Sequence, residues 1–206
     1  MNIGIIGAGF IGRGVAELAI KAGHKVMLSN SRGPNSIFST LSALKCEGGT
    51  VEQAAAFGEL VLVAIPFNQL AKIPGDILKG KVVMDANNYY PDRDGRYPQL
   101  DNHETTTSEM FAGMLPEAKV VKAFNAIYAR DLLSDARAAG AADRRALPIA
   151  GDDAQARQQV AELLDQLGFD CVDAGALAQG WRFERGTPCY CVPLNKTQLA
   201  EKLAQA

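Results

Sequence analysis

The sequence predicts an α/β fold, doubly wound around a mainly parallel sheet, with a small C-terminal lobe. Short apolar segments alternate with helical patterns along most of the chain, which is typical of parallel strands joined by helical crossovers. Some segments are unbroken apolar runs, such as residues 60–65, and such a run predicts a strand covered on both faces. A glycine motif follows the first apolar segment, at the N-terminus. These three observations predict the fold class.

The glycine motif has the spacing G-x-G-x-x-G and lies between the first predicted strand and an amphipathic helix. This arrangement is typical of Rossmann-type dinucleotide-binding folds. Gly7 permits a tight turn, Gly9 lets the backbone approach a pyrophosphate, and Gly12 lets the helix pack closely on the strand. Phe10 and Ile11 complete the motif, and the phosphates lie on N–H groups at the positive helix end. The alternative is a glycine-rich turn with no ligand.

The other elements follow from apolar runs, which predict strands, and from 3.6-residue periodicity, which predicts helices. Further strands are predicted at residues 25–28, 60–65, 81–86, 118–123, 146–150 and 169–173. Further helices are predicted at residues 36–44, 51–56, 108–115, 154–167 and 198–206. Residues 87–102 are predicted as a polar loop. An Ala- and Arg-rich connection near residue 137 divides a nucleotide-binding Rossmann domain, 1–136, from a small α/β extension on the same sheet, 137–206.

The end of the second strand indicates which dinucleotide the site favours. An NAD-selective site usually carries Asp or Glu there, but this chain has no acid between Lys25 and Glu47. The segment offers hydroxyl, amide and guanidinium donors instead: Ser29, Asn30, Ser31 and Arg32. A guanidinium suits bidentate contact with a phosphate, so NADP(H) is the predicted cofactor. The alternative is that Arg32 is a solvated loop charge beside ordinary turn residues.

Ligands of open α/β sheets lie against the loops that follow the carboxyl ends of the strands. Beyond the pyrophosphate, these loops contain Ile65, Pro66 and Phe67 after one strand and Asn87 after the next. Small and apolar groups there would exclude water and hold a nicotinamide ring, while an amide would orient its carboxamide. We therefore expect these residues to line the nicotinamide end of the site.

The sequence shows no convincing acid/base pair. His24 lies in a predicted turn, and His103 lies in a polar loop where a solvated side chain is favoured over a catalytic one. Asp85 either orients a ligand or caps a neighbouring loop, and residues 92–96 are predicted as an exposed turn. Three tyrosines offer hydroxyls and flat faces to a ring-shaped acceptor, although packing accounts for such residues more often: Tyr89, Tyr90 and Tyr128.

The composition excludes several classes of function. The 206 residues carry a net charge of -2, so no basic face argues for nucleic acid. No apolar run approaches the roughly 18 residues of a membrane span, and the N-terminus lacks the basic region of a signal peptide. We therefore expect a cytoplasmic protein with reduced thiols and no metal site, although redox activity of the Cys-Tyr-Cys segment is an alternative. The four cysteines are Cys46, Cys171, Cys189 and Cys191.

These motifs resemble the coenzyme F420-dependent NADP oxidoreductases, short Rossmann proteins that are similar to the ferric reductase domains of STEAP-type membrane proteins. The resemblance covers almost the whole chain, and its more specific elements are Lys-Ala-Phe-Asn at 122–125 and Gly-Asp-Asp at 151–153. It implies that Ser31 and Arg32 bind the 2′-phosphate and that a deazaflavin stacks near the nicotinamide. It also implies a set of lining residues: Pro66, Asn87, Phe124 and Asn125.

We expect an NADPH-dependent oxidoreductase that transfers hydride to or from a flat acceptor such as a deazaflavin, flavin or quinone-like compound. The alternative is a catalytically silent NADP(H)-binding module that senses redox state through a protein partner. The chain lacks the long helical second domain that pyrroline-5-carboxylate reductases use for substrate binding. We therefore expect a small-molecule acceptor laid across an open crevice, and a homodimer.

Overall fold

The computed structural model describes residues 1–206 and is built around one eight-stranded sheet. The strand order is β3-β2-β1-β4-β5-β6-β7-β8, and every neighbouring pair is parallel except β6 and β7. The strands are β1 (Asn2–Ile6), β2 (Lys25–Ser29), β3 (Glu47–Gly49), β4 (Leu60–Val63), β5 (Val82–Asp85), β6 (Lys119–Lys122), β7 (Ala146–Gly151) and β8 (Asp170–Asp173). The predicted α/β fold with a mainly parallel, doubly wound sheet is confirmed.

Helices connect most of these strands. The α-helices are α1 (Phe10–Lys21), α2 (Phe38–Leu44), α3 (Val51–Phe57), α4 (Pro91–Asp94), α5 (Pro98–Asp101), α6 (Thr107–Met114), α7 (Asp131–Asp135), α8 (Ala154–Gln166) and α9 (Lys196–Gln205). Short 3₁₀ segments lie at Pro34–Ile37, Phe67–Lys72, Gly75–Leu78 and Leu177–Phe183. None of the helices combines the length and the apolarity that a membrane crossing requires.

The structure adds elements that the sequence did not predict, among them α7 and the 3₁₀ segments, and two of the differences have a clear physical reason. The edge strand β3 was not predicted, because its Glu-Gly-Gly sequence carries no strand signal and only pairing with β2 extends it. The polar segment 87–102 is not a plain loop, since it contains α4 and α5, each of which begins at a proline. Proline suits the first position of a helix because its missing N–H has no partner there.

Apolar residues cover both faces of the sheet. A cluster of 27 buried residues lies on one face and a cluster of 14 on the other. Alternate residues of β4 belong to different clusters. Leu60 and Leu62 belong to the first cluster, and Val61 and Val63 belong to the second. This division explains why β4 is an unbroken apolar run, as expected for a strand covered on both sides. A third cluster packs α9 against β7.

The strand order reverses between β1 and β4. From β1 the chain continues to β2 and β3 on one side, and then crosses to β4 and β5 on the other. The loops at the carboxyl ends of β1 and β4 therefore diverge and leave a crevice, which is where ligands bind in open α/β sheets. This topology determines where the site lies.

A Gly4→Ala substitution tests the packing of α3 on β1. A Cβ at Gly4 would overlap the main-chain carbonyl oxygen of Ala54, and a main-chain atom cannot rotate away. We expect the free energy of unfolding in urea to fall by about 1–3 kcal/mol.

Gly113→Ala is the matched control, because Gly113 is an exposed residue of α6 with no atom within 4 Å of the added Cβ. The control should be stabilised by about 0.5–1 kcal/mol, since alanine favours a helix over glycine. Equal stabilities of the Gly4→Ala variant and the wild type would contradict the close packing of α3.

Candidate functional site

A cleft of about 770 Å³ lies at the carboxyl edge of β1, β2 and β4. Its walls are the glycine motif, the loop after β2 and the loop after β4. Seven of the predicted site residues line it: Gly7, Gly9, Asn30, Ser31, Arg32, Ile65 and Pro66. The structure therefore brings the glycine motif and the Ser-Arg pair to one cavity, which we call the nucleotide cleft.

The three glycines of the motif do different work in the loop. Gly7 has a φ of 120°, where an L side chain is strained, and its N–H donates to the carbonyl oxygen of Ser29 at 3.0 Å. Gly9 precedes the first residue of α1, and a Cβ there would point into open space. A Cβ at Gly12 would overlap the carbonyl oxygen of Gly7. The N-terminus of α1 is thus held against β1 with its N–H groups open to the cleft.

The loop after β2 is shaped by the side chain of Asn30. The Oδ1 atom of Asn30 accepts a hydrogen bond from the main-chain N–H of Arg32 at 3.1 Å, and its Nδ2 donates to Ser36 at 2.8 Å. These bonds present Ser31 and Arg32, both exposed, at the mouth of the cleft. Ser29 is different, because it is completely buried and its hydroxyl donates to a carbonyl of β1 at 3.0 Å. Ser29 does not line the cleft.

The nucleotide cleft also contains residues that the sequence reasoning missed. They are Arg13, Ser36, Thr40, Gln69 and Lys72. Arg13 directly follows the glycine motif, and its Nε donates to the carbonyl oxygen of Ala8 at 2.9 Å. Lys72 enters from the 3₁₀ segment after β4, which has no sequence signature. With Arg32 they give the cleft three cations against one acid, Glu52, which favours a multiply phosphorylated ligand.

A second cleft of about 360 Å³ adjoins the first and shares Gly9, Ala64, Ile65 and Pro66 with it. We call it the ring cleft. The predicted residues on its walls are Phe10, Ile11, Asn87, Phe124 and Asn125, together with the shared glycine, isoleucine and proline. Residues from the C-terminal part of the chain also reach it, namely Tyr190 and Cys191. No spacing in the sequence placed them there.

Phe67 does not line either cleft. Its ring is buried and packs edge-on against Tyr97, with centroids 5.0 Å apart, and against Tyr89 at 6.0 Å. The ring therefore belongs to the cluster of 14 buried residues on one face of the sheet. Phe67 therefore supports the loop after β4, while Ile65 and Pro66 face the ligand side.

Two side-chain amides of residues on the walls of the ring cleft have carbonyl oxygens without a hydrogen-bond partner. Asn87 donates its main-chain N–H to Asp85 Oδ1 at 3.0 Å and its side-chain Nδ2 to the same oxygen. Asn125 donates its Nδ2 to Asn88 Oδ1 at 3.1 Å and to the Phe183 carbonyl at 3.0 Å. The Asp85 carboxylate and the Phe183 carbonyl can only accept, so the orientation of each amide is determined. The Oδ1 atoms of Asn87 and Asn125 are buried without a partner, which is costly unless a ligand supplies a donor.

A buried chain of polar groups supports this arrangement. Asp85 and Lys122 are both completely buried, and Ser108 links them by donating to Asp85 Oδ2 at 2.6 Å and accepting from Lys122 Nζ at 3.0 Å. Lys122 Nζ also donates to Thr107 Oγ1 at 2.7 Å and pairs with Glu184 Oε1 at 2.9 Å. The network ties β5, β6 and α6 to the C-terminal part of the chain. Apart from the Lys-Ala-Phe-Asn motif, no sequence pattern indicated this network.

The pKa values of the two acids in this network, Asp85 and Glu184, shift in opposite directions. Burial raises the pKa of Asp85, although the Lys122 cation and hydrogen bonds from Ser108 and Asn87 oppose the rise. Burial would also raise the pKa of Glu184, but Lys122 and the hydrogen bonds from Thr107 outweigh it and lower that pKa. Every hydrogen-bond partner of Asp85 is a donor, as a carboxylate requires.

The sequence predicted residues 92–96 as an exposed turn, but this prediction is wrong for Asp94. Asp94 is buried, accepts the main-chain N–H of Tyr90 at 2.9 Å and pairs with Arg93 at 2.8 Å. Asp94 is buried because it lies at the end of the short helix α4, and its side chain points back towards Tyr90, the residue before the helix. Arg93 in turn stacks on the Tyr90 ring, 4.7 Å from its centroid. This turn therefore holds Tyr90 on the wall of the ring cleft.

Neither histidine lines the two clefts. His103 is exposed with a φ of 56°, and burial lowers the pKa of His24.

No group of His, Cys, Asp and Glu side chains is arranged to hold a metal ion. All four cysteines are free, and burial raises the pKa of the thiols of Cys189 and Cys191. A raised pKa keeps both as unreactive thiols at neutral pH.

Comparisons with known proteins agree with this geometry. The family model described as NADP oxidoreductase, coenzyme F420-dependent, matches residues 2–89. A hypothetical protein from Sinorhizobium meliloti is 31% identical with a TM-score of 0.84, and the alignment covers 95% of each chain. A presumed F420-dependent NADP reductase from Arthrobacter is 29% identical, covering 88% of this chain and 87% of that one, with a TM-score of 0.74.

The chain resembles the F420-dependent NADP oxidoreductase family, and the family model matches its first strands and helices, residues 2–89. The resemblance inferred from the motifs is therefore confirmed, and NADP(H) is the nucleotide of this family. The metalloreductase STEAP3 of Rattus norvegicus is 29% identical over 202 residues, which are 93% of this chain and 38% of the relative. The chain thus spans little more than a third of that relative.

A Glu184→Gln variant tests the buried ion pair through the pH dependence of stability. Because the folded pKa of Glu184 is lowered, its contribution is complete above the unfolded pKa, near 4.5, and is lost as the pH falls through the folded value. At pH 7 the variant should lose about 1.5–3 kcal/mol of unfolding free energy in urea. This deficit should narrow below about pH 4.5.

Glu117→Gln is the control, because Glu117 pairs with Lys79 on the surface, where both side chains are at least 60% exposed. It should change the unfolding free energy by less than about 0.5 kcal/mol. A deficit of the Glu184→Gln variant that stays constant from pH 7 to pH 3 would contradict the ion pair.

Proposed function

We propose that this protein is an NADPH-dependent oxidoreductase that transfers hydride between NADP(H) and a flat redox acceptor such as a deazaflavin, flavin or quinone-like compound. The observation that carries the proposal is the continuity of the two clefts. The nucleotide cleft and the ring cleft share Gly9, Ala64, Ile65 and Pro66 along the carboxyl edge of the sheet. A dinucleotide bound in the first cleft would therefore extend its far end into the second.

The nucleotide cleft fits the phosphates of NADP(H). The N–H groups at the start of α1 would bind the pyrophosphate, since Gly9 leaves space for its approach and no acid lies in the first turn of the helix. Ser31 and Arg32 would bind the 2′-phosphate, with Lys72 adding positive charge in the same cleft. No carboxylate lies at the end of β2 to repel that phosphate.

The ring cleft fits a nicotinamide and a second flat molecule. NADPH, when bound, supplies the hydride. Ile65 and Pro66 offer an apolar surface where the two clefts join, and the unpaired Asn87 Oδ1 would accept a hydrogen bond from the carboxamide N–H. The unpaired oxygen of Asn125 offers a second acceptor in the same cleft. Such groups hold reactants in position and exclude water, which is the main requirement of hydride transfer.

The acceptor gains a hydride and one proton, so the net reaction consumes NADPH, a proton and the oxidised acceptor. It releases NADP⁺ and the reduced acceptor. No histidine lines the ring cleft, and the thiol of Cys191 has a raised pKa. The proton is therefore assigned to solvent, and the catalytic contribution of the chain is to orient the reactants. The similarity to a metalloreductase supports a reductase activity.

The proposal is tested by mixing the protein with NADPH and each of a panel of acceptors: riboflavin, FMN, a deazaflavin, menadione and a simple aldehyde. We expect NADPH oxidation with at least one flat acceptor and none with the aldehyde. Binding of NADPH without oxidation above the buffer rate would support the silent redox-sensing module instead.

The homodimer also stays a prediction, which light scattering on a sizing column would test.

An Arg32→Ala variant tests the choice of nucleotide. Loss of a charged hydrogen-bonded contact of about 1.5–3 kcal/mol should weaken NADPH roughly 10- to 100-fold. The affinity for NADH, which has no 2′-phosphate, should be nearly unchanged. Isothermal titration calorimetry with both nucleotides measures the two affinities.

Lys79→Ala is the control for a general loss of positive charge, since Lys79 pairs with Glu117 on the surface. It should bind both nucleotides like the wild type. If the Arg32→Ala variant weakened NADPH and NADH equally, Arg32 would have no role at the 2′-phosphate.

A further inference from the structure

The wall of the ring cleft carries two tyrosines whose hydroxyl groups meet. The oxygens of Tyr90 and Tyr190 lie 2.6 Å apart, and both residues line the cleft. One hundred residues separate them in the chain. Tyr90 follows β5 in the nucleotide-binding half, whereas Tyr190 belongs to the C-terminal segment. The pair closes the side of the cleft formed by these two segments.

A pair of hydroxyls has one donor more than it uses. Each tyrosine carries one O–H donor, and their mutual hydrogen bond consumes only one of the two protons. The second O–H is therefore left for another acceptor. Burial, and then the hydrogen bond with Tyr90, raise the pKa of Tyr190, so Tyr190 keeps its proton at neutral pH. The pair acts as a neutral hydrogen-bond donor on the wall of the cleft.

Several contacts fix the pair in position. Two guanidinium groups contact the Tyr90 ring, with Arg93 at 4.7 Å and Arg185 at 5.3 Å from its centroid. The C-terminal segment is anchored one residue before Arg185 by the ion pair of Glu184 with the buried Lys122. Such rigid placement costs little entropy when a ligand binds, and this favours a role in recognition.

We propose that the Tyr90–Tyr190 pair donates a hydrogen bond to a carbonyl oxygen or ring nitrogen at the edge of the acceptor. It thereby selects conjugated heterocycles and quinones over acceptors that lack such an atom. This inference rests on the proposed function, and it gives the C-terminal segment a part in acceptor binding. Both tyrosines are positioning residues, because neither gives up a proton in the reaction.

The other polar groups of the cleft support this assignment. The unpaired side-chain oxygens of Asn87 and Asn125 accept hydrogen bonds, and so they suit the N–H groups of a ligand. They cannot recognise a carbonyl oxygen or an unprotonated ring nitrogen. The tyrosine pair supplies a complementary donor, in a cleft whose lining also includes Tyr128 and Arg93. A flavin or deazaflavin presents both kinds of edge, and a quinone presents only the acceptor kind.

The test uses the Tyr190→Phe and Tyr90→Phe variants and the double variant of the full chain. Riboflavin binding to the protein with NADP⁺ present is measured by quenching of flavin fluorescence, and turnover of NADPH is measured with riboflavin and menadione. We expect the double variant to raise both the riboflavin Kd and the acceptor KM about fivefold to tenfold, the worth of one neutral hydrogen bond. The NADPH Kd and kcat should change less than twofold.

The two single variants identify which phenol faces the acceptor. The variant that removes the terminal donor should reproduce the double variant, while the other should have a smaller effect. Tyr89→Phe is the matched control, because the Tyr89 hydroxyl donates to Asp101 at 3.0 Å and accepts from the Tyr97 N–H at 3.1 Å outside the ring cleft. It should lower the melting temperature and leave the acceptor KM unchanged.

Wild-type turnover together with an unchanged Kd and KM in the double variant would overturn this inference and leave the proposed function intact. An equal rise of KM in the Tyr89→Phe control would also overturn it, since the effect would then be structural. A wild-type protein that binds NADPH but neither binds riboflavin nor reduces any acceptor would overturn the proposed function and this inference together.

Discussion

The close approach of helix α1 to strand β1 is the constraint on which the rest of the structure depends. Gly12 has no Cβ, so the helix reaches the carbonyl oxygen of Gly7, and Gly7 itself turns through a φ that other residues rarely adopt. This approach points the open N–H groups of the helix at the crevice between β1 and β4. Any larger residue at these positions would move the helix away and remove the anion site. The position of both clefts follows from this contact.

The second organising feature is electrostatic. Lys122 and Asp85 are placed inside the protein, where an unpaired charge would be very unfavourable, and a shared set of hydroxyl and carboxylate groups satisfies them. Asp85 holds the Asn87 amide in one orientation, and Lys122 holds Glu184 of the C-terminal segment. A single network therefore orients one wall of the ring cleft and anchors another. Burying these charges is unfavourable for stability, but the network gives the walls of the ring cleft a defined geometry.

The different lining of the two clefts fits the proposed hydride transfer, which needs no acid/base pair from the chain. Cations and helix N–H groups are concentrated in the nucleotide cleft, while the ring cleft combines an apolar surface with unpaired amide oxygens. Binding energy from the phosphates is thus available to hold the distant ring. This separation of affinity from positioning is how non-reacting parts of a substrate contribute to rate.

The sequence by itself determined the fold class, the glycine loop and the cationic loop after β2, because these depend on local patterns: apolar periodicity, glycine spacing and the absence of an acid. Edge strand β3 and the inward direction of Ser29 and Phe67 were decided only by tertiary contacts. So were the ion pair of Lys122 with Glu184 and the meeting of Tyr90 with Tyr190, which lie 62 and 100 residues apart. No local pattern encodes such pairs, because burial and hydrogen-bond satisfaction are properties of the folded chain as a whole.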